Sequence, residues 1–262
     1  DGAFAAQLLS LPNEGYLIER FAPLDLDRLF TARSWLRQHL ALALEADFLR
    51  RYQRLHQAQP YVYNAQAVSQ RALKNHCLAW LGWVDNEIAQ NLMLEQLETA
   101  NNMTDEIAAL ASLCQSQSSK RGSALEAFYQ KWQSEALVMD KWLAVQARSE
   151  RPEVLAEVKM LAKHPVFDIK NPNKVRALIG SFTQNFRYFH NLDGSGYQWL
   201  TEQIIALNSI NPHIGARLVE PFTRWKKYDA KRQTLIKAEL EHLLKLPELT
   251  KDIYEVVEKS LH

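Results

Sequence analysis

The chain has 262 residues, 47% apolar and 23% charged, long enough for a large buried core and mixed like an ordinary globular protein. Its formal net charge is +1, and residues 1–150 carry 14 basic and 17 acidic side chains against 17 and 13 in residues 151–262, so no global field directs it to nucleic acid or anionic lipid. No apolar run of about 18 residues is present to span a membrane, and the two isolated cysteines, Cys77 and Cys114, exclude a disulfide framework and point to a reducing cytoplasm.

The chain does not begin with Met, and DGAFAAQLLS has neither the basic start nor the long apolar centre of a signal peptide, so a piece of a longer protein is expected. Helical spacing sets in with Leu36, Leu40, Leu44 and Phe48, each four residues from the last. Strand-like alternation is confined to YVY at 61–63. Asn102 or Thr104 can cap a helix whose first turn holds Asp105 and Glu106, favourable beside unpaired amides. Asn171-Pro172-Asn173 opens a helix through VRALIGSF, and DGSG at 193–196 is a turn feeding YQWLTEQIIALN. Ile236, Leu240 and Leu243, then Leu249, Ile253, Val256, Val257 and Leu261, carry helical spacing to the end. Prolines, a few glycines and the Asn101-Asn102 pair punctuate the whole at short intervals. The reading is all-α: an armadillo- or HEAT-like right-handed superhelix of stacked antiparallel helix pairs, about 13–14 helices in one domain spanning 1–262. No fixed-period repeat is visible, so the stacking is expected to be degenerate.

Few residues signal chemistry. The eight histidines form no HExxH and no pair four apart, so no metal site is expected. Cys77 and Cys114 lie in apolar helical patterns, as small core residues do. Asp193-Gly194-Ser195-Gly196-Tyr197 misses the nucleophile elbow, which needs glycine where Asp193 and Tyr197 stand; a turn leading into a helix accounts for it. Phosphate-cradling glycine loops are absent from the sequence. Met139 and Trp142, three apart, read as a packing pair.

The stretch ARLVEPFTRWKKYDAKRQ, 216–233, holds six basic and two acidic side chains, with Phe222, Trp225 and Tyr228 three apart. Exposed aromatics among cations would stack on bases and make a nucleic-acid-binding helical domain. The favoured alternative is a helical stripe that buries the aromatics while Lys226, Lys227, Lys231 and Arg232 face water.

ANNMTD (100–105), LVMDKW (137–142), NPNKVRALIGSF (171–182), DGSGY (193–197) and ARLVEPFTRWKKYDAKRQ (216–233), in this order and spacing, resemble the C-terminal helical domain of bacterial aminopeptidase N, the zinc-dependent alanyl aminopeptidases of the gluzincin class. The resemblance covers essentially all 262 residues. It implies a multidomain hydrolase that removes N-terminal residues from peptides. Its zinc, held by HExxH and a distant Glu, would belong to a catalytic domain outside this segment, so this segment has no cofactor of its own. The resemblance implies that this domain closes over that catalytic domain, its partner, and lines the substrate cavity and access channel. Matched to the family's motifs, Arg217, Arg176 and His213 are the candidate peptide-binding residues of the channel. Nucleic acid is not an expected partner; a stand-alone helical-repeat interaction module is the alternative.

Overall fold

Asparagine starts many of the helices. In the computed structural model, which describes residues 1–21 and 23–262, the side chains of Asn64, Asn86 and Asn102 accept from the amides of Ala67, Ala89 and Asp105 at 2.8, 2.9 and 3.0 Å. Each satisfies one of the amides that a helix leaves unpaired at its start. Asn102, rather than Thr104, is the cap, with Asp105 and Glu106 in the first turn as expected.

The described residues contain helices and no strand. In chain order they are α1 (Gly2–Leu8), α2 (Glu14–Phe21), α3 (Leu26–Ala43), α4 (Glu45–Leu55), α5 (Ala65–Val84), α6 (Glu87–Thr99), α7 (Met103–Gln115), α8 (Arg121–Trp132) and α9 (Ala136–Ala147). There follow α10 (Val154–Leu161), α11 (Pro172–Val175), α12 (Ser181–Thr183), α13 (Phe186–Phe189), α14 (Ser195–Asn208), α15 (Pro212–Leu218), α16 (Glu220–Thr223), α17 (Ala230–Leu244) and α18 (Lys251–Leu261). Among the described residues fourteen helices run seven residues or longer, the number the punctuation predicts, and four short ones lie between them.

Contacts gather in two units, Asp1–Pro12 with Thr31–Val145, and Asn13–Phe30 with Gln146–His262, where the sequence reads as one domain. In the first unit α5 is the central element, packed against α1, α4, α6 and α7, while α7 also packs against α6 and α8. Phe48, Tyr52, Leu78, Leu81, Met93 and Leu113 fill its core. Cys77 is buried in it and Cys114 is buried as well, and burial pushes the Cys77 thiol up to about 11. Met139 and Trp142 are buried too, and the Trp142 indole donates to the Leu125 carbonyl at 3.0 Å.

In the second unit α14 packs against α15 and α17, and α18 closes on both of those. Its core is aromatic: Phe182 meets Trp199 edge-on at 5.4 Å, and Phe189 meets Tyr197 likewise at 5.4 Å. Gly194 opens α14 at φ 74°, where a side chain would be strained, so the DGSG turn forms as read. The Ser195 hydroxyl donates to Asp193 at 2.6 Å, a local turn contact and no nucleophile arrangement.

Three local readings are corrected. The Leu36–Phe48 recurrence crosses a helix boundary, for α3 ends at Ala43 and Leu44 is the cap of α4; Leu36 is exposed and Phe48 buried. NPNKVRALIGSF is not one uniform α-helix: Arg176–Gly180 form a π turn between α11 and α12. Phe222, Trp225 and Tyr228 do not share one helical stripe, because α16 stops at Thr223 and a 3₁₀ turn, Trp225–Lys227, leads to an extended Tyr228.

Candidate functional site

Helix α15 begins at Pro212, whose missing amide costs nothing at a first helical position, and Asn211 caps it through the Ile214 amide at 3.3 Å. Its inward face is set by Gly215, where an added Cβ would come within 2.8 Å of the Ile253 Cδ1. That close approach presses α15 onto α18 and turns the opposite face outward. His213 and Arg217, four residues apart on one side of α15, are both exposed. The His213 ring donates through Nδ1–H to the Asp252 carboxylate at 3.0 Å, with 86% of its side chain exposed.

Arg217 has no ion-pair or hydrogen-bond partner among the described residues; Glu220, three residues on, pairs with Arg224 at 3.3 Å instead. Arg176 opens the π turn. Its neighbours Lys174, Val175, Ala177, Leu178 and Ile179 are buried, whereas Arg176 points out, again without a partner among the described residues. Arg217 and His213 therefore share a surface, while Arg176 lies on another helix of the same unit with no bond to either. Two guanidinium groups left unpaired in water can take a carboxylate or a peptide carbonyl without first breaking an internal bond.

The neighbouring basic stretch is built differently. Phe222 and Tyr228 are buried, and burial pushes the Tyr228 hydroxyl up to about 12. Trp225 donates its indole proton to the Ser260 carbonyl at 2.7 Å, and Lys226 donates to the His262 carbonyl at 2.7 Å. Arg224 pairs with Glu19 at 3.1 Å and Lys227 pairs with the same carboxylate. Arg232, expected in water, is buried. Its guanidinium bonds Asp27 at 2.8 Å, Asp229 at 2.7 Å and the His190 carbonyl at 2.7 Å. Of the six cations, only Arg217 and Lys231 lack a partner among the described residues, so the stretch offers neither stacking rings nor a basic array.

Two buried polar clusters escaped the sequence reading. One surrounds Arg232 and the neutral His190, whose ring bonds the Tyr197 hydroxyl at 2.8 Å. Burial, helped by the Arg232 charge, pushes His190 down to about 3. The other joins α5, α6 and α7. Lys74 bonds Asp105 at 2.8 Å, Asn75 and Asn102 take the remaining carboxylate positions at 2.8 and 3.0 Å, and Gln96 links Asn75 to Tyr52. Asn102 and Asp105 belong to the ANNMTD motif, so the motif itself was the available signal. Among the described residues no three His, Cys, Asp or Glu side chains gather as a metal site, and no helix is long and apolar enough to cross a membrane.

Helices packed in antiparallel succession around two cores, with unpaired arginines on the surface, define an all-helical repeat protein. Residues 1–262 match a family described as a domain of unknown function (DUF3458_C), ARM repeats, and the chain belongs to that family. Over its whole length it is 40% identical to aminopeptidase N of Haemophilus influenzae and 39% identical to aminopeptidase N of Escherichia coli, covering 30% of each. The crystal structure of Legionella pneumophila aminopeptidase A in complex with aspartic acid superposes with a TM-score of 0.89 at 33% identity, over 99% of this chain and 31% of that one. The chain thus spans about 30% of the length of the curated relatives it matches.

Proposed function

We propose that this chain is the non-catalytic C-terminal domain of a zinc metalloaminopeptidase, a hydrolase that removes N-terminal residues from peptides. It closes over the catalytic domain of its own longer chain and lines the substrate cavity and access channel. The observation that carries this reading is similarity along the entire chain to aminopeptidases about three times its length. On this reading the zinc and its ligands belong to the part of the enzyme outside these residues. Two buried thiols accord with a cytoplasmic setting. Phe4 and Leu8, exposed at 64% and 70% on α1, accord with a surface that the rest of the longer protein covers.

Arg217 and Arg176 bind the peptide's carbonyls or terminal carboxylate, and His213 shares the Arg217 surface. Closing such a cavity excludes folded proteins and removes bulk water from the reacting groups. In the full-length enzyme, Arg217→Ala is expected to lower kcat/KM for a pentapeptide about tenfold, the cost of one charge-assisted contact. Turnover of a single-residue anilide, too short to reach Arg217, should change less than twofold. Equal losses on both substrates would leave Arg217 with a structural role only.

A further inference from the structure

The first unit carries a groove that the arginine-bearing surface does not use. Helices α6 and α8 both pack on α7 and leave between them a cleft of about 740 Å³, within the range of small-ligand sites. Leu94, Leu97 and Phe128 supply apolar lining, and Ala124 and Ala127 keep the α8 wall low.

The charge along the groove is polarised. Glu106 stands near the start of α7, a short turn after the end of α6, so Glu95 and Glu98 lie at the same end of the groove. Lys131, near the end of α8, bonds Glu106 at 2.8 Å and fixes α8 in the antiparallel sense. The Trp132 indole bonds the same Glu106 oxygen at 2.9 Å, so that carboxylate is already occupied. Glu95 has His56 at 3.9 Å. Glu98 has no ion-pair partner among the described residues. At the opposite end stands Lys120, also without one. Lys120 and Lys131 are eleven residues apart, about 16 Å at ~1.5 Å per residue. An extended chain of four to five residues spans that length at ~3.3 Å each.

We propose that this groove binds a short peptide of four to five residues with free ends, its α-ammonium at Glu98 and Glu95 and its α-carboxylate at Lys120. The apolar lining takes the middle side chains. Opposite unpaired charges at the two ends of one cleft complement the opposite charges at the two ends of a short peptide and set its direction. The proposal stands on α6, α7 and α8 and does not depend on Arg217.

The test is photo-crosslinking to the full-length protein. The probe is a pentapeptide with free ends and a central benzophenone side chain, N-methylated at its first peptide bond to resist cleavage. Adducts are expected in the peptides containing residues 91–98 and 123–128, competed by excess unlabelled pentapeptide. Acetylating the amine or amidating the carboxylate should lower their yield at least fivefold. Glu98→Gln and Lys120→Ala, both exposed positions, should do the same while the circular dichroism spectrum stays unchanged. No adduct on α6 or α8, as when another part of the longer chain fills the groove, would overturn the proposal. So would yields indifferent to blocked termini or to both variants. Adducts lost on Arg217→Ala but kept in Glu98→Gln and Lys120→Ala would place the peptide on the arginine surface and equally refute the groove.

Discussion

Lys74 in the first unit and Arg232 in the second are both buried, and they solve the same problem with different chemistry. Lys74 is a point charge that meets a single carboxylate, so Asp105 needs Asn75 and Asn102 to occupy its remaining positions. Arg232 is a planar fork, and one side chain reaches Asp27, Asp229 and the His190 carbonyl at once. The lysine cluster therefore ties together helices that follow one another in sequence. The arginine clamp spans 205 residues between Asp27 and Arg232. A guanidinium can integrate distant segments without auxiliary amides; an ammonium draws in a shell of them.

The contrast is broken most severely by removing the fork. Arg232→Ala is expected to destabilise the second unit by about 3–5 kcal/mol, since it removes three charge-assisted bonds, deprives the buried His190 carbonyl of its donor and leaves a cavity where the side chain was buried. Urea denaturation measures this, and a loss below about 1 kcal/mol would refute the clamp. Arg232→Lys should recover less than half, because the charge returns without the fork.

Asp105→Asn leaves Lys74 buried without a countercharge and should cost about 3 kcal/mol. The double variant Lys74→Met/Asp105→Asn should cost less than the single one, an ordering that denaturation midpoints can read directly. Burial alone would raise the Asp105 pKa, but bonds from Lys74, Asn102 and Asn75 outweigh it and hold the carboxyl below its ordinary value. Its contribution is thus complete above pH ~4 and is lost as acid protonates it below that.

His190 sharpens the difference at milder pH. The unfolded imidazole takes a proton near 6.5, whereas the native one resists to about 3. Stability therefore falls as pH drops from about 6.5 toward 3, by about 2 kcal/mol at pH 5. His56 in the first unit is also lowered, first by burial and then by Lys74, and adds a loss of the same sign. His190→Gln should remove most of the pH 7 to pH 5 loss in the second unit, measured by denaturation at both values. An undiminished loss would locate the acid sensitivity elsewhere.

The smallest effect sets a baseline. An added Cβ at Gly122 in α8 meets nothing within 4 Å, so Gly122→Ala should stabilise the first unit by about 0.5 kcal/mol through helix propensity alone. A thermal melt resolves that shift, and destabilisation would reveal a constraint on α8.

Local features were the most legible in the sequence. Asn102, Asn171 with Pro172, and the DGSG turn announce helix starts through backbone chemistry within a few residues, and all three stand where they were read. Leu44 misled because a four-residue apolar rhythm continues through a helix boundary that no proline or glycine marks. Arg232 misled for the opposite reason: its local surroundings are basic and polar, and the carboxylate that draws it inward comes from Asp27. The outward posture of Arg217 follows from Gly215 pressing against Ile253, a contact across 38 residues that spacing alone does not reveal.

Read along the chain alone, the residues establish an all-helical protein, three of its helix starts, its buried cysteines and its family, because capping, helical periodicity and ordered motifs all act or are read along the chain. Packing in three dimensions settled which cations are buried and which stay unpaired at the surface. Burying a charge requires a partner, and that partner's distance in space is set by packing, not by separation along the chain.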